Sequence, residues 1–154
     1  MREIFNLAMR LEENGERFYR GALKKITDPS LRELLIWLAD EEVKHKDWFA
    51  QRKNSVGLKT DDVLLEEAGS GLLRNIMGDQ SFSLKETDPS KIEGREEMID
   101  LAIEFERDTV LFFEMIKSLV DDEETLAQLI EIINEEDRHI QLLQSNKDQE
   151  ENMR

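Results

Sequence analysis

One pattern occurs twice in this chain. Glu42 and His45 form a Glu-x-x-His pair, and Glu136 and His139 form a second, 94 positions later. A single glutamate leads each pair by 30 residues: Glu12 before the first and Glu106 before the second. The chain has 2 histidines, and both stand in these pairs. Residues three apart on an α-helix project from one face, so each pair can present two ligands to one point. Four Glu and two His, arranged as two copies of one half-site, match the known ligand set of a dinuclear metal centre inside a four-helix bundle.

Apolar periodicity supplies the helices. Ile4, Phe5, Ala8, Leu11, Gly15, Phe18, Tyr19, Ala22, Leu23 and Ile26 recur at three- and four-residue steps and predict a helix from Arg2 to Ile26. Asp28-Pro29 reads as N-cap and first residue of a second helix, ending near Lys53, with Leu31, Leu34, Leu35, Leu38, His45, Trp48 and Phe49 on one side. Residues 54–87, broken by Gly57, Gly69, Gly71 and Gly78, are too many for a hairpin turn and suit a long crossover along the bundle. Asp88-Pro89 repeats the capping signal before a third helix, Ser90 to Val120, with Ile99, Ala102, Phe105, Thr109, Phe112, Phe113, Ile116 and Leu119 inward. Asp121 or Asp122 caps a fourth, carrying Leu126, Leu129, Ile130, Ile133, His139, Ile140 and Leu143. Trp37 and Trp48 are expected in the core. Residues 1–147 are read as one all-α, ferritin-like four-helix bundle of two antiparallel hairpins, and 148–154 as a polar tail, with fraying expected from Asn146 onward.

The halves repeat each other. Ala8-x3-Glu12-x2-Gly15-x2-Phe18-Tyr19 aligns with Ala102-x3-Glu106-x2-Thr109-x2-Phe112-Phe113, and Leu38-Ala39-Asp40-Glu41-Glu42-x2-His45 with Ile132-Ile133-Asn134-Glu135-Glu136-x2-His139. In both copies the paired acids fall within the buried stripe. Burying an unpaired carboxylate costs several kcal/mol, and four together repel. Two divalent cations would supply the compensating charge. Imidazole and carboxylate without sulfur suit iron, manganese or zinc. Glu41 and Glu135 lie at the stripe edge, where they can face solvent or support a ligand. Glu13 and Glu16 read as surface charges, with Glu16 the nearer to the site. Gly15, one turn from Glu12, either leaves space beside the metals or lets a neighbouring helix pack closely. Tyr19, the sole tyrosine, lies seven residues after Glu12 and can bond a ligand, act in electron transfer, or serve as a core aromatic.

Composition narrows the partners. A net charge of −15 argues against nucleic acid and against an anionic membrane surface. No stretch approaches the roughly 20 apolar residues that span a bilayer. Met1 to Glu13 is a charged amphipathic pattern without a secretory core, so a cytoplasmic protein is expected. The absence of Cys excludes thiolate sites within this chain.

With those residues in place, the sequence resembles the rubrerythrin branch of the ferritin-like superfamily over roughly residues 1–53 and 90–145. The resemblance rests on Glu12-x2-Gly15-x2-Phe18-Tyr19, Leu38-Ala39-x2-Glu42-x2-His45, Glu106 and Glu136-x2-His139. It implies two iron ions, with Glu12 and Glu106 as ligands, Glu42 and Glu136 bridging, His45 and His139 terminal, and Tyr19 near the centre. It also implies a homodimer and peroxide or O2 as oxidant. Two departures stand out. Two-domain rubrerythrins carry a Cys-ligated rubredoxin domain that delivers electrons; without Cys here, an external donor protein, rubredoxin-like or a flavoprotein, is implied. The family also places a Glu three residues after the third-helix ligand, where this chain has Thr109. The expected function is therefore a di-iron oxidoreductase. A ferroxidase or iron-handling protein and a non-catalytic, metal-stabilised interaction module are the alternatives.

Overall fold

The computed structural model describes residues 2–53 and 92–153. The expected crossover and the Asp88-Pro89 capping signal lie outside them. Helix α1 spans Arg2–Ala22, α2 Pro29–Arg52, α3 Arg95–Leu119 and α4 Glu123–Met153. The chain is an all-α four-helix bundle, as the periodicity predicts.

Helix ends show which local interactions prevail. The first helix stops at Ala22, four residues short of the expected Ile26, and the chain tightens through Lys24 N–H to Gly21 and Lys25 N–H to Ala22. Arg32, from the next helix, donates to the freed carbonyls of Leu23 and Ile26, so the turn is held from across the hairpin. Pro29 opens α2 as expected, although Asp28 makes no side-chain cap and instead lies 3.6 Å from Arg95.

The third helix starts at Arg95, not Ser90. Gly94 has φ 133°, a conformation L-residues rarely adopt, and it breaks the chain direction there. The Glu93 backbone N–H donates to the Glu97 carboxylate at 3.0 Å, which satisfies one free donor at this end. Of the two Asp candidates before α4, Asp122 caps it: its carboxylate accepts from both the backbone N–H and the hydroxyl of Thr125. At the other end α4 continues helically to Met153, where fraying from Asn146 was expected. Two contacts with α3 hold that stretch: Arg95 donates to Asn146 at 2.9 Å, and Lys147 pairs with Asp100 at 2.6 Å.

The helices form a square. Within each hairpin, α1 packs on α2 and α3 on α4; between hairpins, α1 meets α3 and α2 meets α4. Phe5, Phe18, Phe49, Phe105, Phe112 and Phe113 fill the interior with Leu11, Leu31 and Leu35. Phe5 meets Phe49 edge-on at 5.4 Å, and Phe49 meets Phe113 at 5.1 Å, so aromatic contacts join the two hairpins. Two residues expected inside are not: Ile130 is 40% exposed and Trp37 is 38% exposed. Trp48 is half-buried, its indole N–H donating to Gln128 at 2.8 Å. No helix among the described residues is long and apolar enough to cross a membrane.

The cap on α4 is separable from the core. Asp122→Ala should lower the thermal midpoint measured by circular dichroism, while Asp122→Asn, which keeps an acceptor oxygen, should restore most of it.

Candidate metal centre

Each helix contributes to the centre of the square. Glu12 comes from α1, Glu42 and His45 from α2, Glu106 from α3, and Glu136 and His139 from α4. All six side chains are buried. They assemble into two overlapping groups: Glu12, His45 and Glu136 converge in one, and Glu42, Glu106, Glu136 and His139 in the other, with ligand atoms within 4.8 Å of one another. Glu136 belongs to both.

The backbone two-fold is visible in the distances. His45 Nδ1 lies 3.7 Å from Glu12 Oε1, and His139 Nδ1 lies 3.7 Å from Glu106 Oε1. His45 Nδ1 also approaches Glu136 Oε1 at 2.6 Å, and His139 Nδ1 approaches Glu136 Oε2 at 3.5 Å. The Glu136 carboxylate therefore sits between the two imidazoles, whose rings are nearly parallel with centroids 6.0 Å apart.

The polar atoms of this cluster lack partners. Seven of the eight carboxylate oxygens make no hydrogen bond among the described residues; the eighth, Glu106 Oε1, accepts from Tyr19 at 2.6 Å. The Nδ1 atoms of both histidines are likewise unsatisfied and buried. Ordinary interiors pair such groups, because an orphaned charge is far costlier than an orphaned methylene. Convergent, unsatisfied oxygen and imidazole donors fit hard or borderline divalent cations.

Proton affinities show the same frustration. Burial, then the nearby charge of Glu136, raises the Glu106 carboxyl to about 8. Burial followed by repulsion from Glu136 raises Glu12, and burial followed by repulsion from Glu12 raises Glu42 well above the usual carboxylate range. Burial acts to lower His139, but Glu106 and Glu136 overcome it and raise it to about 10. His45 shifts upward in the same way, through Glu12, Glu135 and Glu136. Glu136 alone of the four is held well below its ordinary value: burial opposes this, but the neighbouring Glu106 carboxyl and the His139 and His45 imidazoles prevail. The cluster thus retains protons where cations can replace them.

Surrounding residues set the ligands in place. Gly15 separates α1 from the centre with no room to spare: a Cβ there would stand 2.9 Å from the Phe105 ring and 3.0 Å from the Glu42 carboxyl carbon. The glycine therefore admits close packing, by Phe105 of a neighbouring helix and by the carboxyl of Glu42. Tyr19 reaches from the helix of Glu12 across the bundle and donates to Glu106, a candidate ligand. Its hydroxyl is kept neutral by burial and then by the Glu106 charge, which push its pKa well above 10. Thr109 spends its hydroxyl on the Phe105 carbonyl at 3.0 Å, so no extra carboxylate stands there.

Of the doubled acids, Glu135 touches the site, accepting from His45 Nε2 at 2.6 Å, whereas Glu41 pairs with Lys44 at 3.3 Å. Glu16 pairs with Arg20, and Glu13 with Lys46, on the surface. A surface cleft of about 380 Å³ between α2 and α4 is lined by His45 and Glu135, with Glu41 and Glu131 beside them. Sequence reasoning missed Trp37, whose ring meets the His139 imidazole edge-on at 5.2 Å.

The rubrerythrin family profile matches residues 3–147 of the chain. The chain belongs to the rubrerythrin family. No curated protein matches it. Among solved structures, it is similar to a Thermotoga maritima protein provisionally described as a ferritin-like diiron-carboxylate protein, with 22% identity and a TM-score of 0.66. That match covers 94% of this chain and 91% of the other.

Two predictions follow from this geometry. Gly15→Ala should weaken divalent-metal binding by about tenfold or more, because the Glu42 carboxylate must move. The metal-free midpoint should shift little, since helix propensity gains about 1 kcal/mol against the added crowding. Isothermal calorimetry with thermal melts of the same variant separates the two effects.

The second concerns pH. Glu106 and His139 hold protons more tightly folded than unfolded, so their contribution to metal-free stability is complete below the unfolded values of 4.5 and 6.5. It is lost as pH rises through about 8 and about 10. The metal-free midpoint should fall between about pH 7 and 9, while the added stabilisation from a divalent ion should grow over the same range. Paired melts with and without metal measure both.

Proposed function

We propose that this chain is a dinuclear iron protein that reduces peroxide or O2 with electrons from a separate donor protein. The carrying observation is the set of seven unsatisfied carboxylate oxygens and two unsatisfied imidazole Nδ1 atoms enclosed at the centre of the bundle. A fold that buries such a cluster needs cations there, and membership of the rubrerythrin family favours iron. In this reading Glu12, Glu42, His45, Glu106, Glu136 and His139 would hold the two ions.

A pair of ferrous ions would supply two electrons and Lewis acidity, the requirement for cleaving one O–O bond of peroxide to two waters with two protons. The chain's own residues do the rest. Packed Phe rings around the cluster limit water. The Tyr19 hydroxyl donates to Glu106 Oε1, 2.6 Å away, and holds a proton beside the cluster. The cleft beside His45 gives small oxidants an approach. With no Cys in the chain, re-reduction falls to an external rubredoxin-like or flavin-bearing partner.

The test is anaerobic loading of the metal-free protein with Fe(II), then stopped-flow mixing with peroxide or O2. The expected result is about two irons per chain, as the two ligand groups require, and oxidation far faster than for free Fe(II), with peroxide the better oxidant. Tyr19→Phe should keep the iron and slow the oxidation. Faster reaction with O2 together with a large multi-subunit assembly on size-exclusion chromatography would favour iron handling over reduction. Metal-dependent stability without any accelerated oxidation would leave a structural module.

A further inference from the structure

The two halves share a backbone symmetry that their side chains break. Aligning them at the spacing of 94 pairs Tyr19 with Phe113, Glu135 with Glu41, and Trp37 with Glu131. Each substitution falls beside the buried cluster, and they bear on the two candidate positions differently.

At the Glu12–His45 position, the imidazole is supported. Glu135 accepts from His45 Nε2 at 2.6 Å, which holds a proton on Nε2 and leaves Nδ1 as the atom facing Glu12 and Glu136. A carboxylate on the distal nitrogen makes an imidazole a stronger donor and holds the ring in place. Both Glu12 oxygens are buried without a hydrogen-bond partner among the described residues.

At the Glu106–His139 position the balance reverses. The symmetry mate of Glu135, Glu41, is engaged with Lys44, and His139 Nε2 is buried with no hydrogen-bond partner among the described residues. Trp37 stands edge-on to the ring in place of an acceptor. Glu106 donates less as well, since Tyr19 draws charge from its Oε1. Glu42 groups with Glu106, Glu136 and His139, so that position has four candidate donors against three at the other, and donor quality runs opposite to donor count.

We infer that the two metal positions are unequal: the Glu12–His45 position, with Glu135 as positioning residue, fills first and holds metal more tightly, and the Glu106–His139 position, weakened by Tyr19 and with no carboxylate behind His139 among the described residues, fills second. The inference rests on the dinuclear reading above. It assigns to Glu135, a half-exposed residue outside the ligand set, control of one metal and not the other.

Co(II) titration of the metal-free full-length chain, followed by calorimetry and visible absorption, tests it. Two binding steps separated by about tenfold or more are expected, the first with its own absorption spectrum. Glu135→Leu should weaken the first step by about 10- to 100-fold and leave the second in place, so the steps merge. Glu135→Gln, which keeps an acceptor for Nε2 without the charge, should recover part of the loss. Tyr19→Phe should tighten the second step alone. Two equal steps in the unaltered protein, or equal weakening of both by Glu135→Leu, would overturn the inference while leaving the dinuclear reading intact. Fewer than two Co(II) per chain would overturn both.

Discussion

Mutual repulsion among four buried glutamates is the constraint on which the rest of this bundle depends. Each of the four helices carries one of them into the interior, where no solvent screens the charge. In the metal-free protein the cluster lowers its charge by holding protons, with Glu106 raised to about 8 and His139 to about 10. That arrangement is a compromise, since nearly all of the carboxylate oxygens remain without partners. Two divalent cations would replace the protons and satisfy the oxygens together, making metal binding and tight packing of the hairpins one process.

The remaining structure serves to bring those carboxylates together. Four long helices give a rigid frame, and phenylalanine contacts between Phe5, Phe49 and Phe113 lock the hairpins around the site. Gly15 accepts the helix-propensity penalty because any side chain would displace Glu42. Arg32 holds the first turn and Asp122 caps α4, which anchors the ends of the segments that carry the candidate ligands. The surface carries its excess acid elsewhere, in pairs such as Glu13 with Lys46 and Glu16 with Arg20.

Much of this was legible in the sequence, for a physical reason. Helical periodicity fixes which residues share a face, so the six candidate ligands could be placed inward before any coordinates, and the structure brings all six together. Helix ends were less legible because tertiary contacts decide them. Arg32 ends α1 early, Gly94 delays α3, and contacts from Arg95 and Lys147 carry α4 past the expected fraying point. The partner of Tyr19 was not legible, because helical spacing does not say which neighbouring helix a hydroxyl meets. Trp37 was misjudged as core because hydrophobicity does not distinguish burial from covering an edge. The positions where the duplicated halves differ, Tyr19 against Phe113 and Trp37 against Glu131, were the available signal for both residues.

The central claim is that the buried acids exist to hold two cations that share Glu136. Anomalous diffraction from crystals soaked in Mn(II) or grown with Fe(II) tests it most directly. The account predicts two peaks about 3.5–4 Å apart, one beside Glu12 and His45 and one beside Glu106 and His139, with Glu136 reaching both. A single peak, or none at the centre of the bundle, would contradict it.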